Sequence, residues 1–199
     1  MSRVAELKQQ LKPGGVYRRE DLARYSNAID RHLAELVDDG TLKKVAQGLY
    51  YFPKKTVFGV VPPDDETLVR SFLKDDRFLL TSPNSYNALR VGTTQLYNKR
   101  VVYNHKRHGE VELNGRKFSF HKTPYFPKKK TLEFLLVDLV NNLNQLAEDR
   151  GEILKNALSK AKAMNLNKLR YAVRAYGHTK TKKIFEPVLE EIKFKLNVH

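Results

Sequence analysis

"GTLKKVAQGLYYFP", residues 40–53, holds two β-rich pieces, Leu42 to Ala46 and Leu49 to Phe52, around Gln47-Gly48. It follows an amphipathic run that ends at Val37, and lysines flank it, with Lys43 and Lys44 inside and Lys54 and Lys55 just after. Short runs of branched and aromatic residues predict strands. Gln47-Gly48 suits a tight turn between them. The stretch therefore reads as a basic hairpin set directly behind a helix.

The residues upstream supply the helices. Val4, Leu7 and Leu11 fall on one helical face, and Pro13-Gly14-Gly15 stops that helix. Val16 and Tyr17 form a short extended piece. A second short helix has Glu20 and Asp21 in its first turn, where the macrodipole favours acids, and Leu22 faces inward. Ser26 suits the N-cap of a third helix. In that helix Ile29, Leu33, Leu36 and Val37 make a buried stripe, and Gly40 supplies the stop. At 100° per residue the opposite face carries Asn27, Arg31, Ala34, Glu35 and Asp38. Asn and Arg are the side chains that pair bidentately with adenine and guanine. Glu35 and Asp38 sit at the far end, away from phosphates if the N-terminal end enters a major groove. Three short helices and a two-stranded hairpin spell a winged helix-turn-helix, with Lys43 and Lys44 in the wing. The candidate DNA-binding set is Ser26, Asn27, Arg31, Lys43, Lys44, Gln47, Lys54 and Lys55.

Charge agrees with such a partner. Among 199 residues, 37 Lys and Arg stand against 22 Asp and Glu, a formal net charge of +15. An excess of this size favours polyanions. It is not a basic tail: residues 62–130 alone hold 14 basic and 7 acidic residues. Cysteine is absent, which excludes disulfides, thiolate metal sites and a Cys nucleophile. The opening "MSRVAELKQQ" has no apolar h-region, and runs such as "FLLV" are far below the roughly 20 residues of a membrane span. No secretory signal and no membrane partner are expected, and the cytoplasm is the expected location.

Beyond the hairpin, "FGVVPPDDE" reads as a linker, and a domain boundary is expected between residues 61 and 62. Asp64 caps a helix through about Leu73. "RFLLTSP" is a short strand, and Pro83 opens a helix over 84–90. Three strands are expected at 100–105, 109–113 and 117–121, with Asn114-Gly115 as a hairpin turn. From Thr131 the chain is helical: "LEFLLVDLVNNL" is apolar on most sides, Gly151 interrupts, two amphipathic helices follow, and the last runs from about Lys182 to Phe194. The expected fold class is α+β, an N-terminal winged helix-turn-helix over 1–61 followed by a mixed α/β domain over 62–199 that ends in a helical bundle.

The sequence offers little for catalysis. His105 and His108, with His121 further on, have metal-like spacing but no convincing acidic or Cys ligand beside them. Glu191 and Lys193 have nuclease-like spacing but lie on a helix. Asp64-Asp65 and Asp75-Asp76 fit helix ends. No phosphate-cradling or nucleophile motif occurs. No enzyme activity and no cofactor are expected. Tyr97, Tyr103, Tyr125 and Phe126 interleave with basic residues, a mixture that also suits single-stranded nucleic acid. A second surface for nucleic acid or a protein is drawn from Arg100, Lys106, Arg107, Lys128, Lys129 and Lys130.

The order of "GGVYRREDL", "LAELVDDGTLKKV" and "GLYYFP", followed by "LLTSPNSYNALRVGTTQ" and the strands "KRVVYN" and "FSFHKT", resembles the AbiEi-like antitoxins of type IV toxin–antitoxin systems. The likeness covers about residues 1–135. It implies an autorepressor that binds its own promoter through the winged helix. It also implies a second domain that counters a nucleotidyltransferase-like toxin encoded beside it, by direct contact or through the toxin's substrate. The alternative from the residues is an RNA-binding or RNA-processing accessory protein; a nuclease with poorly marked acids comes third.

Overall fold

The computed structural model describes residues 3–197, and the chain is α+β. It forms two compact units: the residues up to Asp76 with Lys106–Phe118, and Arg77–His105 with the residues from Ser119 onward.

In the first unit, α1 (Arg3–Gln9), β1 (Val16–Arg18), α2 (Arg19–Leu22), a single 3-10 turn (Ala23–Tyr25) and α3 (Ile29–Asp38) precede a hairpin of β2 (Lys43–Ala46) and β3 (Leu49–Tyr51). β3 lies between β1 and β2 in an antiparallel sheet, with Val16 opposite Tyr51 and Lys44 opposite Tyr50. The register shifts between Lys44 and Ala46, and Gly48 takes a positive φ of 67° at the turn, which suits glycine. Leu7, Leu11, Leu22, Ile29, Leu33, Leu36 and Leu42 form one core, so the two expected apolar stripes meet there. The stripe of α3 also includes His32, buried at the i+3 position from Ile29. Val37 is only half-buried.

The expected linker is not one. Residues 54–61 form a second hairpin, β4 (Lys54–Thr56) and β5 (Gly59–Val61), every residue of which is exposed. The helix α4 (Asp65–Leu73) follows, with the Asp64 carboxylate accepting from the Thr67 N–H at 2.8 Å as an N-cap. α4 buries Leu68, Val69 and Leu73 and packs on β1, so it belongs to the first unit. β8 (Gly109–Leu113) and the opening of β9 (Arg116–Lys122) also belong there. The Asn114 N–H donates to the Val45 carbonyl at 2.8 Å, and Arg116 reaches Asp65 at 2.6 Å. The division expected at 61/62 thus falls inside the first unit. Proline breaks the hydrogen-bonded ladder, but the chain returns to the same packing on the far side.

The second unit has β6 (Phe78–Thr81) antiparallel to β7 (Arg100–Asn104), with β7 neighbouring β9. The turn between β8 and β9 has Asn114 and Gly115 both at positive φ, as the Asn-Gly signal implies. The helix expected over 84–90 is present as a 3-10 helix over Pro83–Leu89. α5 (Leu132–Asn141) is buried from Phe134 through Val140, and α6 (Arg150–Ala161), α7 (Leu166–Tyr176) and α8 (Thr179–Asn197) pack against it. Gly151 does not interrupt anything. Asp149 caps α6 through the Glu152 N–H at 2.7 Å, and Gly151 lies in the first turn of that helix. α8 begins three residues before the expected Lys182 and runs through Pro187. No helix among the described residues is long and apolar enough to cross a membrane.

Candidate nucleic-acid interface

The face of α3 opposite its buried stripe is exposed, with Arg31, Ala34, Glu35 and Asp38 all reaching solvent; Asn27, expected on that face, is exposed but precedes the helix, which begins at Ile29. Asn27 sits in the turn ahead of the helix and Arg31 within it. Arg31 keeps only a loose ion pair, 3.7 Å from Glu35, between side chains that are mostly exposed. Such a pair is weak, so the guanidinium stays available to a ligand.

Two ties hold this face in place. The Arg19 guanidinium, at the start of α2, grips Asp30 on α3 with two hydrogen bonds of 2.6 Å and holds that carboxyl below the usual range. The Arg19 backbone N–H donates to the Gly48 carbonyl at 2.9 Å, so the same residue also fixes the turn of the β2–β3 hairpin. Leu42, Val45 and Leu49 are buried and pin the hairpin from beneath. Lys43, Lys44 and Gln47 are exposed, as are Lys54 and Lys55 on the second hairpin. None of these four lysines joins an ion pair among the described residues.

Ser26 must be withdrawn from the candidate set. It is buried, with its hydroxyl 2.7 Å from His32 Nδ1 and accepting from the Ala28 N–H. It does not cap α3, whose N-cap is Ala28 without a side-chain bond. The physical reason is His32: a polar ring on the buried stripe needs a partner, and Ser26 supplies it. The helical spacing of His32 with Ile29 and Leu36 was the signal for this.

The second candidate surface divides. Lys106 and Arg107 belong to the first unit, and Arg100 with Lys128, Lys129 and Lys130 to the second. Lys106 is engaged: its ammonium donates to the Leu73 and Lys74 carbonyls at 3.1 and 2.8 Å and lies 3.4 Å from Asp75. It closes the C-terminus of α4, where the macrodipole favours a cation. Arg107 stacks over the Phe72 ring. Both residues therefore serve the fold. No local pattern announces this, because their partners lie more than thirty residues away.

Lys128 and Lys129 instead border an apolar groove of about 690 Å³ shared with Glu133, Lys168, Tyr171 and Tyr176. Tyr171 is exposed and meets Tyr176 edge-to-face, centroids 6.0 Å apart. Burial, with Tyr171 beside it, pushes the Tyr176 hydroxyl up to about 12.

The histidines have other work. His105 Nδ1 lies 3.1 Å from the Thr123 carbonyl oxygen, and His121 Nε2 lies 3.0 Å from the Ser119 hydroxyl. Among the described residues, no three His, Cys, Asp or Glu side chains are grouped to hold a metal ion.

A family model matches residues 3–152, most of the chain. The protein belongs to DUF6088, a family of unknown function. No curated protein matches it. Among solved structures it is similar to the crystal structure of the Rv2827c protein from Mycobacterium tuberculosis, at 16% identity and a TM-score of 0.57. The alignment covers 95% of this chain and 75% of that one. At that identity the likeness speaks to the fold alone.

Proposed function

We propose that this DUF6088 chain is a non-enzymatic, DNA-binding transcriptional autorepressor and the antitoxin of an AbiE-like system. In this reading α2, the following turn and α3 form a helix-turn-helix and β2–β3 is its wing. The observation that carries the reading is the exposed face of α3 with Arg31, and Asn27 exposed in the turn ahead of it, in one compact unit with a hairpin whose lysines join no ion pair among the described residues. Arg31 and Asn27 suit base edges, and Lys43 and Lys44 suit phosphates. The antitoxin part rests on the resemblance of residues 40–53 and 79–95 to that group. In it, the chain acts in the cytoplasm and its second unit counters a nucleotidyltransferase-like toxin.

The test is a binding assay on the DNA upstream of the gene, with tRNA as competitor. Saturable duplex binding that survives tRNA is the expected result; equal displacement by tRNA would transfer the reading to RNA. That second reading has one observation in its favour, the exposed Tyr171 platform with Lys128, Lys129 and Lys168 at its rim. An aromatic face beside cations suits an unpaired base and its phosphate.

A further inference from the structure

The β4–β5 hairpin buries none of its strand residues. Its tip is Val57-Phe58, 94% and 99% exposed, and Val60 and Val61 are exposed behind it. A two-stranded ribbon with no buried side chain contributes little to its own stability. An exposed Phe at its end costs solubility and gives the fold nothing. Yet the ribbon is built to be stiff. At the tip the Thr56 hydroxyl donates to the Gly59 carbonyl at 3.0 Å and accepts from the Phe58 N–H at 3.3 Å. Gly59 takes a φ of 109°, which favours glycine. At the base the buried Tyr51 hydroxyl donates to the Val61 carbonyl and accepts from the Lys54 N–H, clasping both strands.

The charge on the ribbon selects its partner. Residues 54–61 hold two lysines and no acid. Successive side chains leave a strand on opposite faces, so Lys54 and Lys55 emerge on either side of the ribbon. A protein partner is poorly served: a stable interface needs about 800 Å² from each side, and a two-residue tip cannot supply it. A minor groove is well served. Strands read DNA from either groove, a wedge needs only the tip to enter, and the minor groove is about 7.5 Å deep. Three residue pairs at about 3.4 Å per residue lift the tip by a similar height. Apolar wedges that part base steps are an established way for such proteins to kink DNA.

We propose that the β4–β5 hairpin is a minor-groove wedge: Phe58, backed by Val57, inserts at a base step of duplex DNA while Lys54 and Lys55 hold the flanking phosphates. This rests on the DNA-binding reading above and adds a second element to it. The favoured step is pyrimidine–purine, TA above all, because it unstacks most easily.

The test uses the full chain and a duplex from the DNA upstream of its gene, with 2-aminopurine placed in turn at each TA step. Binding is followed by anisotropy and unstacking by 2-aminopurine emission. Wild-type protein is expected to bind and to raise emission at a discrete step. Phe58→Ala, harmless to folding at so exposed a position, is expected to bind without that rise. Lys54→Ala with Lys55→Ala is expected to reduce the slope of log affinity against log salt by about 1.8, two phosphates' worth. Duplex binding with flat emission at every step, or a rise that persists in Phe58→Ala, overturns the wedge and leaves the DNA reading standing. Absence of any duplex binding overturns both. Self-association in sedimentation that Phe58→Ala abolishes would make the tip a contact between copies and also overturn the wedge.

Discussion

Arg31 and Ser26 stand five residues apart and make opposite predictions. Arg31 is exposed and loosely held, so replacing it leaves the fold alone. On the proposed reading Arg31→Ala loses about 1–3 kcal/mol on the preferred duplex and relaxes its sequence preference. Thermal unfolding stays unchanged; competition between the preferred duplex and single-base variants measures the effect. Ser26 is buried on His32 Nδ1. Ser26→Ala leaves a buried ring nitrogen without its partner, at a cost of about 1–3 kcal/mol. Denaturant unfolding should show that loss, whereas the salt dependence of DNA binding should not move. If Ser26→Ala were fully stable and changed base preference, the inward assignment of Ser26 would be wrong. The exposed face of α3 was legible in the sequence because helical periodicity sorts residues by side. The role of Ser26 was not, because a serine before a helix satisfies a cap and a buried partner equally well on paper.

Among the elements, α5 carries the most unusual side chain. Asp138 is the one polar residue in the buried stretch Phe134–Val140 of that helix and accepts from Tyr86 at 2.8 Å, Tyr103 at 2.6 Å and Asn142 at 3.1 Å. Burial pushes its carboxyl above the usual range; bonds from Tyr103 and Tyr86, the nearby His178 and Asn142 offset part of that. The sign follows from linkage. With the folded pKa above the unfolded one, the native state holds the proton more tightly. Stability from this group is therefore greatest below the unfolded value, about pH 4, and falls as pH rises toward the folded value. Asp138→Asn cannot titrate. The expected outcome is that Tm of the wild type minus Tm of the variant declines as pH rises from about 4, and a flat difference would refute the assignment. The helices and the Asn114-Gly115 hairpin were readable because each carries a local rule: a stripe, a cap or a turn dipeptide. The β4–β5 hairpin was not. No side chain in it is buried, so no alternation marks it, and its Val57-Phe58 turn lacks the usual residues. The hold of Lys106 on α4 was equally hidden, because closing a helix end from more than thirty residues away leaves no local trace.

At the scale of the molecule, Pro62-Pro63 suggests a cut that the packing does not support. α4 lies beyond the prolines, yet it buries Leu68, Val69 and Leu73 in the first unit. Residues 106–118 return there as well, with the Asn114 N–H on the Val45 carbonyl and Arg116 on Asp65. Cutting between 61 and 62 parts Asn114 from Val45 and α4 from β1. Exposing a Leu or Val side chain costs about 1.5–3 kcal/mol, so three cost about 4.5–9 kcal/mol, comparable to the lower part of the roughly 5–15 kcal/mol that holds a domain together. A 61-residue piece is marginal even when its core is intact. Fragments 1–61 and 62–199 are therefore expected to bind ANS and to melt without a sharp transition, while the full chain melts cooperatively. If the two proposed activities are to be separated, substitution is the route. Full-length Arg31→Ala should release a promoter reporter yet still protect cells that co-express the neighbouring toxin. Survivor counts at equal protein level, read beside the reporter, make the measurement. Loss of protection together with repression would tie both activities to the face of α3. A sharply melting 62–199 fragment that protects as well as the full chain would show that α4 and residues 106–118 do not need residues 1–61.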